Sequence, residues 1–286
     1  MIETVFRSED VPAADRFECW RELVQRASSP VELDSEYRDD FRVSQRLLEF
    51  GGVTVWPCRF QPVRFLRTPK LVRQSDPERV NVSLPTLGTL NVTRDDREAV
   101  YDPFSFCVID SSRTVDVRAG GPHEGIGFDV PRALLPLPAD AVSQLSGYRL
   151  SAREGIGALL ADFLVRLSTD TGSFRRSDGP RLAVVAVDLA SALFASAPCG
   201  KWGPDRDGRA WEKTVKTSAN QRTGSSTGCA SNGMAYPSHT LDYHCYTWGN
   251  DGKSWTFVTN VTVDKTTGWI RDDLLKDGGS NKYCGF

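Results

Sequence analysis

With 286 residues, 40% hydrophobic and 25% charged, the chain has the balance of a soluble globular protein and length enough for two domains. Its formal net charge of -2 supplies no overall basic field, so charge gives nucleic-acid binding no support. No stretch reaches the roughly 18 uninterrupted apolar residues of a spanning helix, and the longest candidate, 182–197, is broken by Asp188.

The opening residues carry Glu3, Glu9 and Asp10 and lack an apolar run. They do not read as a secretory signal, so the intact chain is expected in the cytoplasm, away from any membrane. Pro12 suits a first helical turn, and Ala13, Phe17, Trp20 and Val24 fall on one helical face. Residues 41–48 put Phe41, Val43 and Leu47 on one side of a strand, with Gln45 interrupting that face. Residues 53–56, 63–67, 80–84 and 90–93 are short, alternating and β-branched, as half-buried strands are. Arg94 to Arg97 read as a hairpin turn, and Phe104–Ile109 and Gly125–Val130 as further strands. Two helices follow, one with a stripe of Ile156, Leu159, Leu160, Phe163, Leu164 and Leu167, the next with Leu182, Val185, Leu189 and Leu193. The pattern predicts an α+β arrangement, or a β-barrel with helices packed outside it.

Composition changes near Ala197, from Val, Leu, Arg and Asp to Gly, Thr, Ser, Asn, Trp and Tyr. Pro198, Gly200, Gly203, Pro204 and Gly208 mark 198–210 as a linker. Beyond it, 240–248 alternates, Asn250-Asp251-Gly252 is a hairpin turn into 254–260, and Thr266-Thr267-Gly268 a turn into Trp269-Ile270. A β segment this small calls for staples, and Cys199, Cys229, Cys245 and Cys284 are the candidate disulfide cysteines, their pairing open. Such bridges belong to an oxidising compartment. Cys19, Cys58 and Cys107, scattered through the first half, read as small buried hydrophobes. The two halves thus point to different redox environments.

Residues 11–23, 87–117, 127–135, 145–167 and 181–195 carry, in order, a resemblance to the ligand-binding domain of AraC/XylS-type transcription regulators, particularly the actinobacterial branch. It implies a cupin-like β-barrel that takes a small effector, with trailing helices for self-association. Tyr101-Asp102-Pro103-Phe104 replaces the family's usual proline-glycine-acidic turn. Members normally continue into two helix-turn-helix units; nothing after Cys199 offers such a recognition helix, so direct nucleic-acid binding is not carried over. Residues 239–261 and 267–275 resemble instead a bacterial SH3-like domain of the small secreted type, with Gly268-Trp269-Ile270 and the Trp255 strand its strongest part. That resemblance places Trp255 and Trp269 in core strands and Cys229, Cys245 and Cys284 in stabilising bridges.

The fold class read from the sequence is mainly β with α, a cupin-like β-barrel plus helices followed by a small SH3-like β-barrel. The domains are 1–197, a linker at 198–210, and 211–286. Within the first domain, Arg64, Asp110 and Arg113 are the candidate ligand-binding residues. The row Arg59, Arg64, Arg67 and Arg73 reads either as an attractor for an anionic effector or, more often for such alternation, as a solvated sheet face. Asp110 to Arg113 read as a turn, with Arg113 at a ligand mouth. His123-Glu124, beside Gly120-Gly121-Pro122, reads as a solvated loop pair, and no metal site or other cofactor is expected, since a protein-bound divalent ion needs at least three donors.

In the second domain, Tyr236, Tyr243, Tyr246 and Trp248 are candidate binding-groove aromatics, weighed evenly against core packing. His244-Cys245 invites a thiol-nucleophile reading, which the opposite faces of strand neighbours oppose. His239 has no evident partner, and without a complete acid, base or nucleophile set the chain is not expected to be an enzyme.

The reading is an effector-binding, self-associating regulatory domain without its DNA-reading half, fused to an SH3-like module. Its partners would be a small organic effector and a second copy or an intact regulator, with a peptide or peptidoglycan at the C-terminal domain. The alternative is a secreted SH3-like cell-envelope or peptide-binding module, the regulator half being a passenger of gene fusion. Arg175-Arg176 ahead of 182–197, with Ala195-Ser196-Ala197, faintly resembles a signal peptide and marks where such a fusion would lie.

Overall fold

In the computed structural model the described residues are 2–285, apart from 28, 95–96, 137–141, 143–144, 146–148, 197–198, 200, 210, 212–213, 250 and 264. They divide into two compact units, one drawn from 1–136 and 145–193, the other from 137–144 and 194–286.

The first unit is built on two antiparallel sheets. One takes β1 (Ile2–Arg7), β3 (Val43–Phe50), β4 (Val53–Phe60), β11 (His123–Pro131), β6 (Arg79–Leu87), β9 (Ser105–Asp110) and β12 (Leu150–Ser151), in the spatial order β1-β3-β4-β11-β6-β9-β12. The other takes β2 (Glu32–Asp34), β5 (Val63–Arg67), β10 (Val115–Ala119), β7 (Leu90–Arg94) and β8 (Arg97–Tyr101), in the order β2-β5-β10-β7-β8. One hydrophobic core joins them. Phe41, Val43, Cys58 and Phe60 of the first sheet's side share it with Val63, Leu90, Val92, Val115 and Val117 of the second. This is a mainly β, cupin-like arrangement in which alternate strand residues point inward.

Helix α1 (Arg16–Ala27) closes that core with Phe17, Trp20 and Val24, as the spacing predicted, while Ala13 sits in a 3-10 turn ahead of the helix. Trp20 stacks on Phe41 with ring centroids 5.0 Å apart, and its Nε1 donates to Gln45 Oε1 at 2.6 Å. That bond explains the polar interruption in β3, because a buried indole N–H needs an acceptor and Gln45 supplies it. Short helix α2 (Pro69–Gln74) starts at Thr68, whose side chain accepts from the Leu71 N–H.

After β11 come α3 (Gly155–Thr169) and α4 (Gly179–Ser196). Helix α3 buries Leu160, Leu164 and Leu167 from its expected stripe, but Leu159 is exposed. On α4 the buried face is Ala183, Ala186, Val187, Ala190 and Leu193, whereas Val185 of the expected stripe lies outward. Alanines allow close approach, and a stripe chosen by large side chains misses them. The predicted turn around 94–97 joins β7 to β8 through an Arg94–Arg97 pair, its middle residues lying outside the described set.

The second unit carries one antiparallel sheet, in the order β14-β13-β17-β16-β15: β13 (Ala219–Arg222), β14 (Ser231–Ala235), β15 (Leu241–Trp248), β16 (Ser254–Asn260) and β17 (Thr266–Arg271). Thr266, Thr267 and Gly268, expected as a turn, belong to β17 and pair with Asn260, Thr259 and Val258. The turn falls one step earlier, where Lys265 takes a positive φ of 51°. Of the turn expected at 250–252, Asn250 lies outside the described residues, and Gly252 adopts a φ of 68° between paired β15 and β16.

The described part of the expected linker packs as structure instead of spanning free. Arg206 N–H donates to His244 O at 3.0 Å, and Asp207 is 2% exposed, bonded to Arg209 and Ser280. Arg209 holds the Asp207 carboxyl down at about 2. A Cβ on Gly203 would sit 2.5 Å from Cys245 Sγ, so only glycine lets the chain cross there. Pro198 and Gly200 lie outside the described residues.

Candidate functional site

A cavity of about 130 Å³ lies between the two sheets of the first unit. Its walls follow from the period of two. On β4 the alternate residues Trp56, Cys58 and Phe60 face it, and the antiparallel register sets them opposite Gly127, Gly125 and His123 of β11. Strand β6 adds Asn81 and Ser83, strand β5 adds Phe65 and Arg67, and α1 closes one side with Trp20 and Val24. Gly127 has a steric reason: a Cβ there would come within 1.9 Å of the Trp56 ring, so glycine lets that ring lie across β11.

Most polar side chains in these walls already have hydrogen-bond partners. Trp56 Nε1 donates to Asp129 Oδ2 at 2.8 Å, Asn81 Nδ2 donates to Asp129 Oδ1 at 3.1 Å, and Ser83 Oγ donates to Asn81 Oδ1 at 2.8 Å. Arg67, 1% exposed, donates from Nε to Ser111 O at 2.6 Å, from Nη1 to Pro30 O at 2.7 Å, and from Nη2 to Ser75 O. Burial lowers its pKa from the ordinary arginine value. His123 stacks on Phe60 at 4.7 Å, and its buried Nδ1 has no hydrogen-bond partner. Burial pushes its pKa down to about 4, so the ring is neutral near pH 7. The thiols of Cys58 and Cys107 are likewise pushed up to about 12 by burial, which makes them inert packing groups.

Arg64, Asp110 and Arg113, the three candidate ligand residues, stand outside the lining. Arg64 points from the opposite face of β5 and forms a bidentate pair with Asp116, at 2.9 and 2.8 Å. Asp110 is buried beside Arg132. Burial opposes its charge, but bonds from Arg132 and the Ser112 N–H outweigh that and hold its carboxyl below the usual range. Arg113 is exposed on the turn that Asp110 caps, as the expected turn required.

The arginine row is therefore not one solvated face. Arg59 pairs with Glu124 outside, Arg73 is exposed on α2, and Arg67 is buried in the cavity wall. The His123 loop reading is also corrected: β11 begins at His123, two residues before the predicted strand, and the ring is 4% exposed. Extending the alternation of Gly125, Gly127 and Asp129 back one step would have found it. Among the described residues no group of three or more His, Cys, Asp or Glu is placed to hold a metal ion. No described helix is long and apolar enough to cross a membrane.

In the second unit the four candidate cysteines form two disulfides, Cys199–Cys229 and Cys245–Cys284. Cys245 thus has no thiol to act as a nucleophile, and His244 instead meets Asp205 at 3.3 Å and Thr259 at 2.7 Å. His239, without an evident partner in the sequence, meets Asn260 Nδ2 at 2.9 Å. Of the groove aromatics, Tyr243 is a core residue, 3% exposed, its hydroxyl donating to Asp277 Oδ1. Trp248 and Tyr236 are exposed, and half-buried Tyr246 lies 5.7 Å from Tyr283. Trp255 and Trp269 are both buried in the sheet's core.

The model of a family described as AraC-binding-like domain matches residues 20–195, more than half of the chain. The chain belongs to the AraC-binding-like domain family. The family segment holds both sheets' cavity-lining strands and α3 and α4. A crystal structure of the AraC-like transcriptional activator CuxR has the same fold, with a TM-score of 0.60 over 73% of each chain and 19% identity. A curated relative, an uncharacterized protein in the nit 5' region of Bacillus sp. (strain OxB-1), is 26% identical over 137 residues, 47% of this chain and 52% of that protein. The chain therefore spans about half the length of the curated relative it matches.

Proposed function

We propose that the first unit is the effector-binding, self-associating part of a regulator, and that a small organic molecule binds in the cavity between its sheets. The concave, mostly apolar cavity within the family segment carries this reading, because small-molecule sites are concave, apolar and furnished with few polar groups. The outward apolar residues Leu159 and Val165 of α3 and Val184 and Val185 of α4 support pairing with a second copy or an intact regulator. In a compound screen on the full chain, at least one small molecule is expected to raise the melting temperature and to make the protein elute at the mass of two chains. Val117→Phe, which adds volume to a side chain that faces the cavity beside Phe65, should abolish the shift while melting cooperatively. A screen in which nothing shifts the wild type, or in which Val117→Phe responds equally, overturns the reading.

The second unit is proposed as an SH3-like module for a peptide or peptidoglycan. Support comes from the exposed Trp248 and from Tyr246 with Tyr283, aromatic surface that a small disulfide-bonded sheet leaves uncovered. The full chain should be retained on purified cell walls and released when Trp248 is changed to Ala. Flow-through of the wild type would remove this part of the reading and leave the effector domain standing.

A further inference from the structure

The cavity's chemistry narrows what it can accept. Its volume of about 130 Å³ is close to that of a dry engineered cavity of about 150 Å³ that binds benzene. A single six-membered ring fits that space. The walls beside the space are aromatic and aliphatic, with Trp20, Phe60, Phe65, Leu90 and Val117 among them.

The charged wall residues already have hydrogen-bond partners. Asp129 accepts from Trp56 and Asn81, and each nitrogen of Arg67 donates to a backbone carbonyl. A charged ligand would give up its water to meet a guanidinium or a carboxylate whose atoms are already engaged, and burying a charge without a dedicated partner is strongly unfavourable. Among the described lining residues, His123 alone carries a buried side-chain nitrogen or oxygen with no hydrogen-bond partner. Its ring is neutral near pH 7, so it offers one N–H and one lone pair. A hydroxyl, which both donates and accepts, satisfies either tautomer.

We infer that the effector is an uncharged single-ring molecule bearing one hydroxyl, its ring between the aromatic walls and its hydroxyl bonded to the His123 imidazole. Phenol is the simplest member of the class. The inference rests on the effector reading above.

The test titrates the full chain with phenol, benzene and benzoate, read by calorimetry and by tryptophan fluorescence, to which Trp20 and Trp56 in the wall contribute. Phenol is expected to bind about tenfold more tightly than benzene, the worth of one buried hydrogen bond, and benzoate not detectably. His123→Phe keeps a ring against Phe60 and should remove the preference, so that this variant binds phenol no more tightly than benzene. Equal affinity for phenol and benzene, tighter binding of benzoate than phenol, or an undiminished phenol preference in His123→Phe overturns the inference. The wild-type ranking stands as a test even where the variant does not fold. If none of the three binds while another compound does so and is excluded by Val117→Phe, the ligand class is wrong and the effector reading survives. If nothing binds at all, both fail.

Discussion

Replacing Trp20 by alanine is expected to lower the stability of the first unit by about 3–5 kcal/mol, the range for deleting a large buried aromatic. Trp20 is 1% exposed and stacks on Phe41, with Phe60 and Phe65 at 5.8 and 5.9 Å, so its removal opens the meeting point of α1 and both sheets. The cavity lies against the same ring, and a second empty volume would merge with it. The loss has a polar part as well. Without the indole N–H, Gln45 Oε1 loses its donor, and a buried acceptor left unpaired costs about 1–3 kcal/mol. Trp20→Phe isolates that part, since it restores much of the ring volume but not the donor. Urea denaturation followed by far-UV circular dichroism measures both variants. A Trp20→Ala change below about 1 kcal/mol would mean that the core closes over the gap.

The second large effect belongs to the Cys245–Cys284 bond. Both cysteines are buried in the core with Trp255, Phe257 and Trp269, and the bond closes a loop with a sequence separation of 39. Loop-closure entropy for a ring of that size gives about 4 kcal/mol of stabilisation. The bond also fixes the last residues against β15, where Cys284 N–H donates to Tyr246 O at 2.9 Å and Tyr246 N–H to Lys282 O at 2.7 Å. Upstream, Ser280 N–H donates to Thr256 Oγ1 and Ser280 Oγ to Asp207. In Cys245→Ser with Cys284→Ser these bonds persist only as far as the untethered tail stays docked. The double variant should melt well below the wild type, and reductant should shift the wild type the same way. An unchanged midpoint in both would show that the hydrogen bonds alone hold the tail.

The strands of the first unit could be read from the sequence because their alternation is regular, and the β3 exception at Gln45 has a partner one helix away in α1. What stayed hidden depends on neighbours distant in the chain. Arg64 and Arg67 look alike in sequence, but an odd spacing on one strand sends them to opposite faces. The carbonyls that hold Arg67, from Pro30, Ser75 and Ser111, come from three separate segments. His123 follows Gly120-Gly121-Pro122, a loop signature, yet pairs with Phe60 across β4 and β11. On α4 the burial of alanines in place of Val185 reflects close packing, which hydrophobicity alone does not rank. Cysteine positions pointed to bridges, but four cysteines allow three pairings, and only the folded sheet selects Cys199 with Cys229.

That first bridge, Cys199–Cys229, changes what a protease can do to the chain. It binds the segment just after α4 to a residue between β13 and β14, making a covalent ring of everything from 199 to 229. A single backbone cut inside that ring leaves the regulator-type segment and the C-terminal sheet as one molecule, with two chains held by sulfur. After such a cut the two halves part only when a reductant acts as well, so in an oxidising setting a cut within 199–229 cannot by itself set the C-terminal sheet free.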